Sequence, residues 1–579
     1  MLPLRLSSQR HSRSVSRPSL NAFNDKSLFE QTDNPAAVQT CKQRMKVAAL
    51  VFVVAYCVIS LKVIAVCLPH GIKINLPQTH MFHEQIIESP ISRADILDRN
   101  GSILATSLPT VNLYANPKKI QNAEDAAEKL SFIFPDLSFE DIYKKLTKEN
   151  SSFAMIKHNL SPEQQAEVNA LGIPALEFQT SEKRVYLQNN LFAHVVGYTD
   201  IDNIGKTGVE RSMHKRLTES SKPLQLTLDI GIQDAVREEL AVALKKFKAE
   251  RAAAILMDVN TGEVLSLVSL PDFNPNISIP VGDTSLFNFI TLGIYEPGSV
   301  FKTFNTALGL ESGKVKVTDK FDATKPIIVQ KRRISDFHAK NKWLSVGEIL
   351  THSSNIGSVR IAERVGKEGQ REFLKNLGFF DTVKDFELPE KTAPRFRSEK
   401  SWTPITVATV SYGHGISVTP LHIITAFSAL VNGGIYHTPT IIKSDTQKIS
   451  RRVVSEQTSD QMRPLLRDVV LYGSGKKADV EGYEVGGKTG TANKNVNGKY
   501  LQSSVTNSFL AAFPISHPKY ALLVVLDEPQ GIKETFNSRS SGWNAAPTTG
   551  KIIAAVAPQL GLKANFDIKT QKAHIKAAK

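Results

Sequence analysis

Residues 47–68 read VAALVFVVAYCVISLKVIAVCL, 22 residues broken only by Ser60 and Lys62. A run of this length matches the roughly 20 residues a helix needs to cross a bilayer core. In lipid every backbone polar group must be satisfied inside the segment, which leaves the helix as the solution open to a single span. Lys62 stands toward the far end, where its amine can snorkel outward; at the bilayer centre it would cost roughly 2.5–3.5 kcal/mol. The 46 residues before the run hold eight Lys/Arg against three acids, with Lys42, Arg44 and Lys46 at its edge. That bias predicts a cytoplasmic N-terminus, with everything after Leu68 outside. A 46-residue leader is too long for a cleaved signal peptide, and no small-x-small cleavage site follows. A buried helix of a soluble protein is the remaining alternative for the run. The basic leader before a span also explains the formal net charge of +15 better than a nucleic-acid partner does.

Cys41, Cys57 and Cys67 lie in or beside this run, and the rest of the chain has none. Neither a disulfide nor a cysteine metal site can form there. No His-x-x-x-His or comparable spacing occurs, so neither metal nor cofactor is expected. At 579 residues, 41% of them hydrophobic, the chain can fill more than one core. Residues 69–90 read as a polar stalk. From Ile91, ISRADILDRNGSILATSLPTVNLYANP reads as strands around a DRNG turn. Helical periodicity follows in AEDAAEKLSFIF and in SPEQQAEVNAL, the second opened by Ser-Pro-Glu. A glycine-rich connection leads to a boundary near Lys222-Pro223. Beyond it LQLTLD predicts a strand, a helix starts at Ile232, and AAAILMDVNTGEVLSLVSLP predicts a hairpin turning at Asn260-Thr261-Gly262.

YEPGSVFKTF (Tyr295–Phe304) sets Ser299 and Lys302 one turn apart where a helix begins. Residues three apart share a helix face, and Ser near a helix start is a common cap. Ser-x-x-Lys therefore says little by itself, and it recurs at Ser212/Lys215, Ser474/Lys477 and Ser516/Lys519. Order separates the four. LTHSSNIGSVRIAERVG places Ser353 and Asn355 at the start of an apolar-periodic helix, 54 residues after Ser299. YEVGGKTGTANK places Lys488, Thr489, Gly490 and Thr491 among small residues, 135 residues after Ser353. Gly482-x4-Gly487-Lys488-Thr489 also satisfies the phosphate-loop pattern. That loop must open a helix, whereas GTANKNVNGKYLQ is a poor helix and the segment is expected outside the cell.

Ser-x-x-Lys, Ser-x-Asn and Lys-Thr-Gly in that order resemble the motif set of penicillin-binding proteins. DVNTGEVLSLVSLPDFNPN, GHGISVTPLH and FLAAFPISHPKYALLVVLDEP resemble blocks of the class B transpeptidases, and SRADILDRNGSILA resembles their non-catalytic pedestal, with Ala94 where that family has Gly. The resemblance covers about residues 47–560. It implies an α+β fold: a cytoplasmic tail (1–46), an anchor (47–68), an elongated α+β pedestal (69–222) and a transpeptidase domain of antiparallel sheet flanked by helices (223–579). A serine hydroxyl needs an adjacent base, and Lys302 can serve only if neutral. A second ammonium nearby lowers its proton affinity, and by resemblance Lys488 supplies that field. The resemblance further implies that Ser299 is the nucleophile and that Ser353 relays a proton. Asn355 would hold the substrate amide and Lys302. The backbone N–H groups of Ser299 and Thr491 would form the oxyanion hole. Thr489, Gly490, Thr491 and Lys488 would hold a terminal carboxylate. The substrate it implies is the D-Ala-D-Ala end of a peptidoglycan stem, with β-lactams as covalent inhibitors. The size, the leader and SYGHGISVTPLH look more like the division (FtsI-like) type than the elongation type, which implies an FtsW-like glycosyltransferase partner in the bacterial inner membrane. A β-lactamase or D,D-carboxypeptidase, and a β-lactam sensor or scaffold, are the alternatives.

Overall fold

The structure is a computed structural model and describes residues 35–67, 92–280, 282–396, 402–444, 449–496 and 499–566. The leader up to residue 34, the stalk and the chain after 566 lie outside the described residues. The chain divides into two units between residues 87 and 88. In the first, the apolar run continues its preceding turns as one helix, α1 (Pro35–Cys67), whose segment Lys42–Val63 is long and apolar enough to cross a membrane. Its side chains from Lys42 to Val63 are exposed, as a lipid-facing surface requires.

The second unit opens with a twisted sheet: β1 (Ile96–Leu97), β2 (Ile103–Ala115), β3 (Ala154–Leu160), β4 (Leu176–Tyr186) and β5 (Leu224–Gln225). β4 pairs along its full length with Ala105–Ala115 of β2, while β1 and β3 share the other edge of β2. The DRNG turn forms as read: Asp98 Oδ1 accepts from Asn100 N and Ser102 N, and Gly101 takes the positive φ of 91° that the turn requires. The Ser-Pro-Glu start becomes a capping box between Ser161 and Gln164 at the helix Pro162–Ala170. Beneath this sheet Glu210 is wholly buried between Arg93 and Arg184, accepting from Arg93 Nε at 2.6 Å and Arg184 Nε at 2.7 Å. Arg184 Nη2 also donates to Ala94 O at 2.9 Å.

The expected boundary at residue 222 lies just before a segment that serves both parts. Leu224 and Leu226 bond back to Asp95 and Leu97, and Thr227 N donates to Ile441 O in the part that follows. The predicted strand LQLTLD is therefore only the two residues of β5 plus bridges. The helix begins two residues early, at Ile230, because Asp229 caps it by accepting from Ile232 N.

The second sheet is antiparallel. It contains β6 (Arg251–Asp258), β7 (Val264–Leu270), β8 (Gly486–Val496), β9 (Lys499–Phe513) and β10 (Tyr520–Asp527), in the order β8-β9-β10-β6-β7. The predicted hairpin is β6–β7, with Gly262 at φ 81° in its turn. Strand alternation divides the interior between the two faces. Leu522, Val524 and Leu526 of β10 pack toward helices Ile230–Lys246 and Ala545–Val556. Leu523 and Val525 pack toward the opposite core, which holds helices α2 (Lys302–Glu311), α3 (Asn355–Val365) and α4 (Pro420–Val431). The edge strand β8 runs past the start of α2, and Lys488 sits directly opposite Leu510, a residue of that same core.

Candidate active site

The chain enters α2 through a 3-10 turn, Gly298–Phe301. Gly298 has φ 55° and donates its N–H to Gly413 O at 3.1 Å. A Cβ on Gly413 would fall 2.1 Å from Gly298 O, and one on Gly490 would fall 2.9 Å from Pro297 O and 2.8 Å from Val300 Cγ2. The Ser-Tyr-Gly-His-Gly turn and β8 thus clamp this turn from two sides, and only glycine permits the approach. Glu296 holds the first clamp: its Oε1 accepts from Gly415 N at 2.9 Å, and its Oε2 lies 2.9 Å from His414 Nδ1.

In this frame Ser299 is half-buried, while Lys302 and Lys488 are 1% and 0% exposed. Lys302 Nζ lies 2.9 Å from Ser299 Oγ, 2.7 Å from Ser353 O and 3.0 Å from Ser353 Oγ. Lys488 Nζ donates to Ser353 Oγ at 3.1 Å and to Thr489 O at 3.2 Å. Ser353 therefore bridges the two amines, and it does so with a left-handed backbone, φ 57°, the strained kind of geometry that clusters at functional sites. Burial, followed by the charge of Lys488, holds the Lys302 amine well below its ordinary value, while the Asp336 carboxylate pulls the other way. Burial alone brings Lys488 down to about 7. A neutral Lys302 amine has two protons to donate and one lone pair, so the lone pair can face Ser299 Oγ while both protons bind Ser353.

The Ser353 turn is pinned from behind. Asp336 accepts from Ser354 Oγ at 2.7 Å and from Ile356 N at 3.0 Å. Asn355 Nδ2 donates to Ser335 O at 2.9 Å. The expected Asn355–Lys302 hydrogen bond is not the one formed, because Lys302 spends its contacts on Ser299 and Ser353 and the Asn355 amide points to the loop before the turn. Thr489, Gly490 and Thr491 lie on β8 as an extended strand, so the phosphate-loop reading has no helix to open. Thr489 Oγ1 lies 2.5 Å from Ser474 Oγ, and Thr491 Oγ1 accepts from Ser541 N at 3.1 Å.

Ser299, Lys302, Ser353, Lys488 and Thr489 thus form one connected cluster, with Gly490 and Thr491 continuing its edge. Ser474, Asp336, Glu296 and His414 join the site without being legible as members in the sequence. Ser474 carried a visible signal, as one of the four Ser-x-x-Lys matches, but it joins the site through Thr489 and not as a nucleophile. Asp336 is an isolated acid in sequence with nothing in its neighbours to mark it, whereas Glu296 and His414 lie inside the stretches YEPGSVFKTF and GHGISVTPLH, and only their pairing across 118 residues is invisible there.

Two family models match the chain, Penicillin-binding Protein dimerisation domain over residues 88–229 and Penicillin binding protein transpeptidase domain over residues 252–554. The chain is 34% identical over 494 residues to "Probable peptidoglycan D,D-transpeptidase FtsI" of Caulobacter vibrioides, covering 83% of each chain. It is 28% identical over 501 residues to "Peptidoglycan D,D-transpeptidase FtsI" of Escherichia coli, covering 80% of this chain and 83% of that one. Among solved structures, penicillin binding protein 3 of Mycobacterium tuberculosis, complexed with aztreonam, superposes with a TM-score of 0.66 at 23% identity, over 82% of this chain and 98% of that one. With matching domains in the same order and this identity over most of its length, the chain belongs to the class B penicillin-binding proteins, the FtsI-like peptidoglycan D,D-transpeptidases.

Proposed function

We propose that this chain is a membrane-anchored serine D,D-transpeptidase that cross-links peptidoglycan stem peptides through an acyl-enzyme on Ser299. The observation that carries the reading is the Lys302 amine, buried, held toward its neutral form and 2.9 Å from Ser299 Oγ. Lys302 takes the Ser299 proton as Oγ attacks the carbonyl of the penultimate D-Ala. The C–N bond then breaks, and the departing D-Ala amine takes a proton by way of Ser353, which touches both lysines. The amine of a second stem attacks the ester, returns its proton along the same path and frees Ser299. Backbone N–H groups of Ser299 and Thr491 stabilise the oxyanion. Lys488 with Thr489, Gly490 and Thr491 receives the terminal carboxylate, and Asn355 orients the stem. β-Lactams acylate the same serine.

The basic leader and α1 support a single pass with a cytoplasmic N-terminus, and the catalytic part on the outer face of the bacterial inner membrane. The FtsI-type relatives support a role at the division septum, beside a membrane-embedded FtsW-like glycosyltransferase that supplies the strands. The test is labelling of the full chain with a fluorescent penicillin, followed by amine transfer from a stem-peptide donor. Ser299→Ala should lose all covalent label and keep its thermal midpoint. Label that persists on this variant overturns the assignment.

A further inference from the structure

Between α2 and the Ser353 turn the chain builds a small hairpin, Ile327–Val329 paired with Arg332–Ile334. Ile327 and Ile334 anchor it in the core. Its two-residue turn is Gln330-Lys331, both left-handed at φ 46° and 66°. That is the primed hairpin geometry usually left to Asn and Gly. The turn lifts Lys331, Arg332 and Arg333 into solvent. Over residues 325–342 the chain carries six Lys/Arg against one acid, a third of its net charge of +15. The one acid, Asp336, is spent on Ser354 and Ile356. Among the described residues no ion pair engages Lys331, Arg332 or Arg333. Phe337, 90% exposed, and Trp343, 58% exposed, stand on the same segment.

This basic rim is wired to the active site and not remote from it. Ser335 and Asp336 follow Arg333 within three residues and bond the Ser353–Asn355 turn. On its other side Gln330 Oε1 accepts from Ile405 N at 3.1 Å, and the Arg332 charge acts on Tyr412, a residue of the turn that clamps Gly298. The segment that supports the Ser353 turn thus carries the three cations at its tip.

We propose that the Lys331-Arg332-Arg333 hairpin is a substrate-reading rim that binds the free carboxylates of stem peptides neighbouring the reacting one on the same glycan strand. The inference rests on the proposed transpeptidase reading. In that reading each unreacted stem ends in a carboxylate, so a strand of many stems is a polyanion, whereas a single stem or a β-lactam is not. Exposed cations beside a cleft raise the local concentration of such a ligand, and salt weakens the effect. Phe337 and Trp343 add flat apolar area of the kind that suits a mixed sugar–peptide surface.

The experiment compares the full chain with the variant K331S/R332Q/R333Q. Binding to linear, uncross-linked glycan strands bearing pentapeptide stems is measured by co-sedimentation at 50 and 300 mM salt. Acylation by fluorescent penicillin is measured alongside. At low salt the variant should bind strands about tenfold more weakly and lose most of its salt dependence, while penicillin labels it at the wild-type rate. Strands with amidated stem carboxylates should bind the wild type as weakly as native strands bind the variant. Equal strand binding by the two proteins overturns the proposal. So does loss of penicillin labelling in the variant, which would make the hairpin part of the serine site itself, and so does a deficit that appears only when another division protein is added, which would make the rim a protein-docking surface. Failure of the wild type to be labelled at Ser299 is a separate result and sinks the transpeptidase reading instead.

Discussion

Two buried amines within reach of one serine hydroxyl are the least comfortable feature of this molecule. Each disfavours its charged form through lost solvation, and the charge of Lys488 makes Lys302 harder still to protonate. Lys488 shows the thermodynamic consequence. Its amine titrates near 7 in the folded chain and at an ordinary 10.5 when unfolded, so between those values the unfolded chain binds more protons and stability rises with pH. Below pH 7 both states are protonated and the full penalty of a buried ammonium remains. Lys488→Met should therefore raise the thermal midpoint at pH 6, with a gain of about 1–4 kcal/mol, and the gain should shrink toward pH 9. Thermal scans of both proteins in detergent at the two pH values check it. A gain that grows with pH would contradict the burial argument. Loss of acylation in the same variant would mark the amine as retained for chemistry at the expense of stability.

At the scale of elements, the site is an edge strand, β8, pressed against a helix start. Gly490 sets that spacing, because a Cβ there would lie 2.5 Å from Ser508 Oγ and under 3 Å from both Val300 and Pro297. Gly490→Ala should push β8 off the Ser299 turn. A displacement of about 1 Å between reacting groups can reduce rate roughly 100-fold, so the penicillin acylation rate should fall by about that factor. The strand is held by its ladder to β9 on the other side, and the variant should still fold cooperatively. A near-normal acylation rate would show that the strand gives way without disturbing the serine.

Across the whole second unit, the first sheet and the transpeptidase core are continuous through residues 224–228, and the Arg93–Glu210–Arg184 cluster is the buried ionic joint beside that passage. Removing its acid leaves two guanidinium groups buried without a counter-charge. Breaking such a cluster is expected to destabilise by about 3–5 kcal/mol, so Glu210→Ala should lower the thermal midpoint by many degrees while any protein that remains folded still takes the penicillin label. Unchanged stability would mean that solvent reaches the cluster readily.

What the sequence determined alone is whatever depends on neighbours along the chain. The apolar run dictated α1, Asp98 and Gly101 dictated the first turn, alternation with Asn260-Thr261-Gly262 dictated the β6–β7 hairpin, and the order of Ser299, Ser353 and Lys488 pointed to the chemistry. The rest depends on groups that folding brings together from 15 to 135 residues apart. The burial of Lys302 and Lys488, the pairing of Ser474 with Thr489, the turn of Asn355 toward Ser335 and the support of Ser353 by Asp336 all arise where β8, α2 and α3 converge. Desolvation and hydrogen-bond partnership are properties of that packed volume, so a local reading could name the serines and lysines but not which of them would share a proton, a partner or a strained backbone.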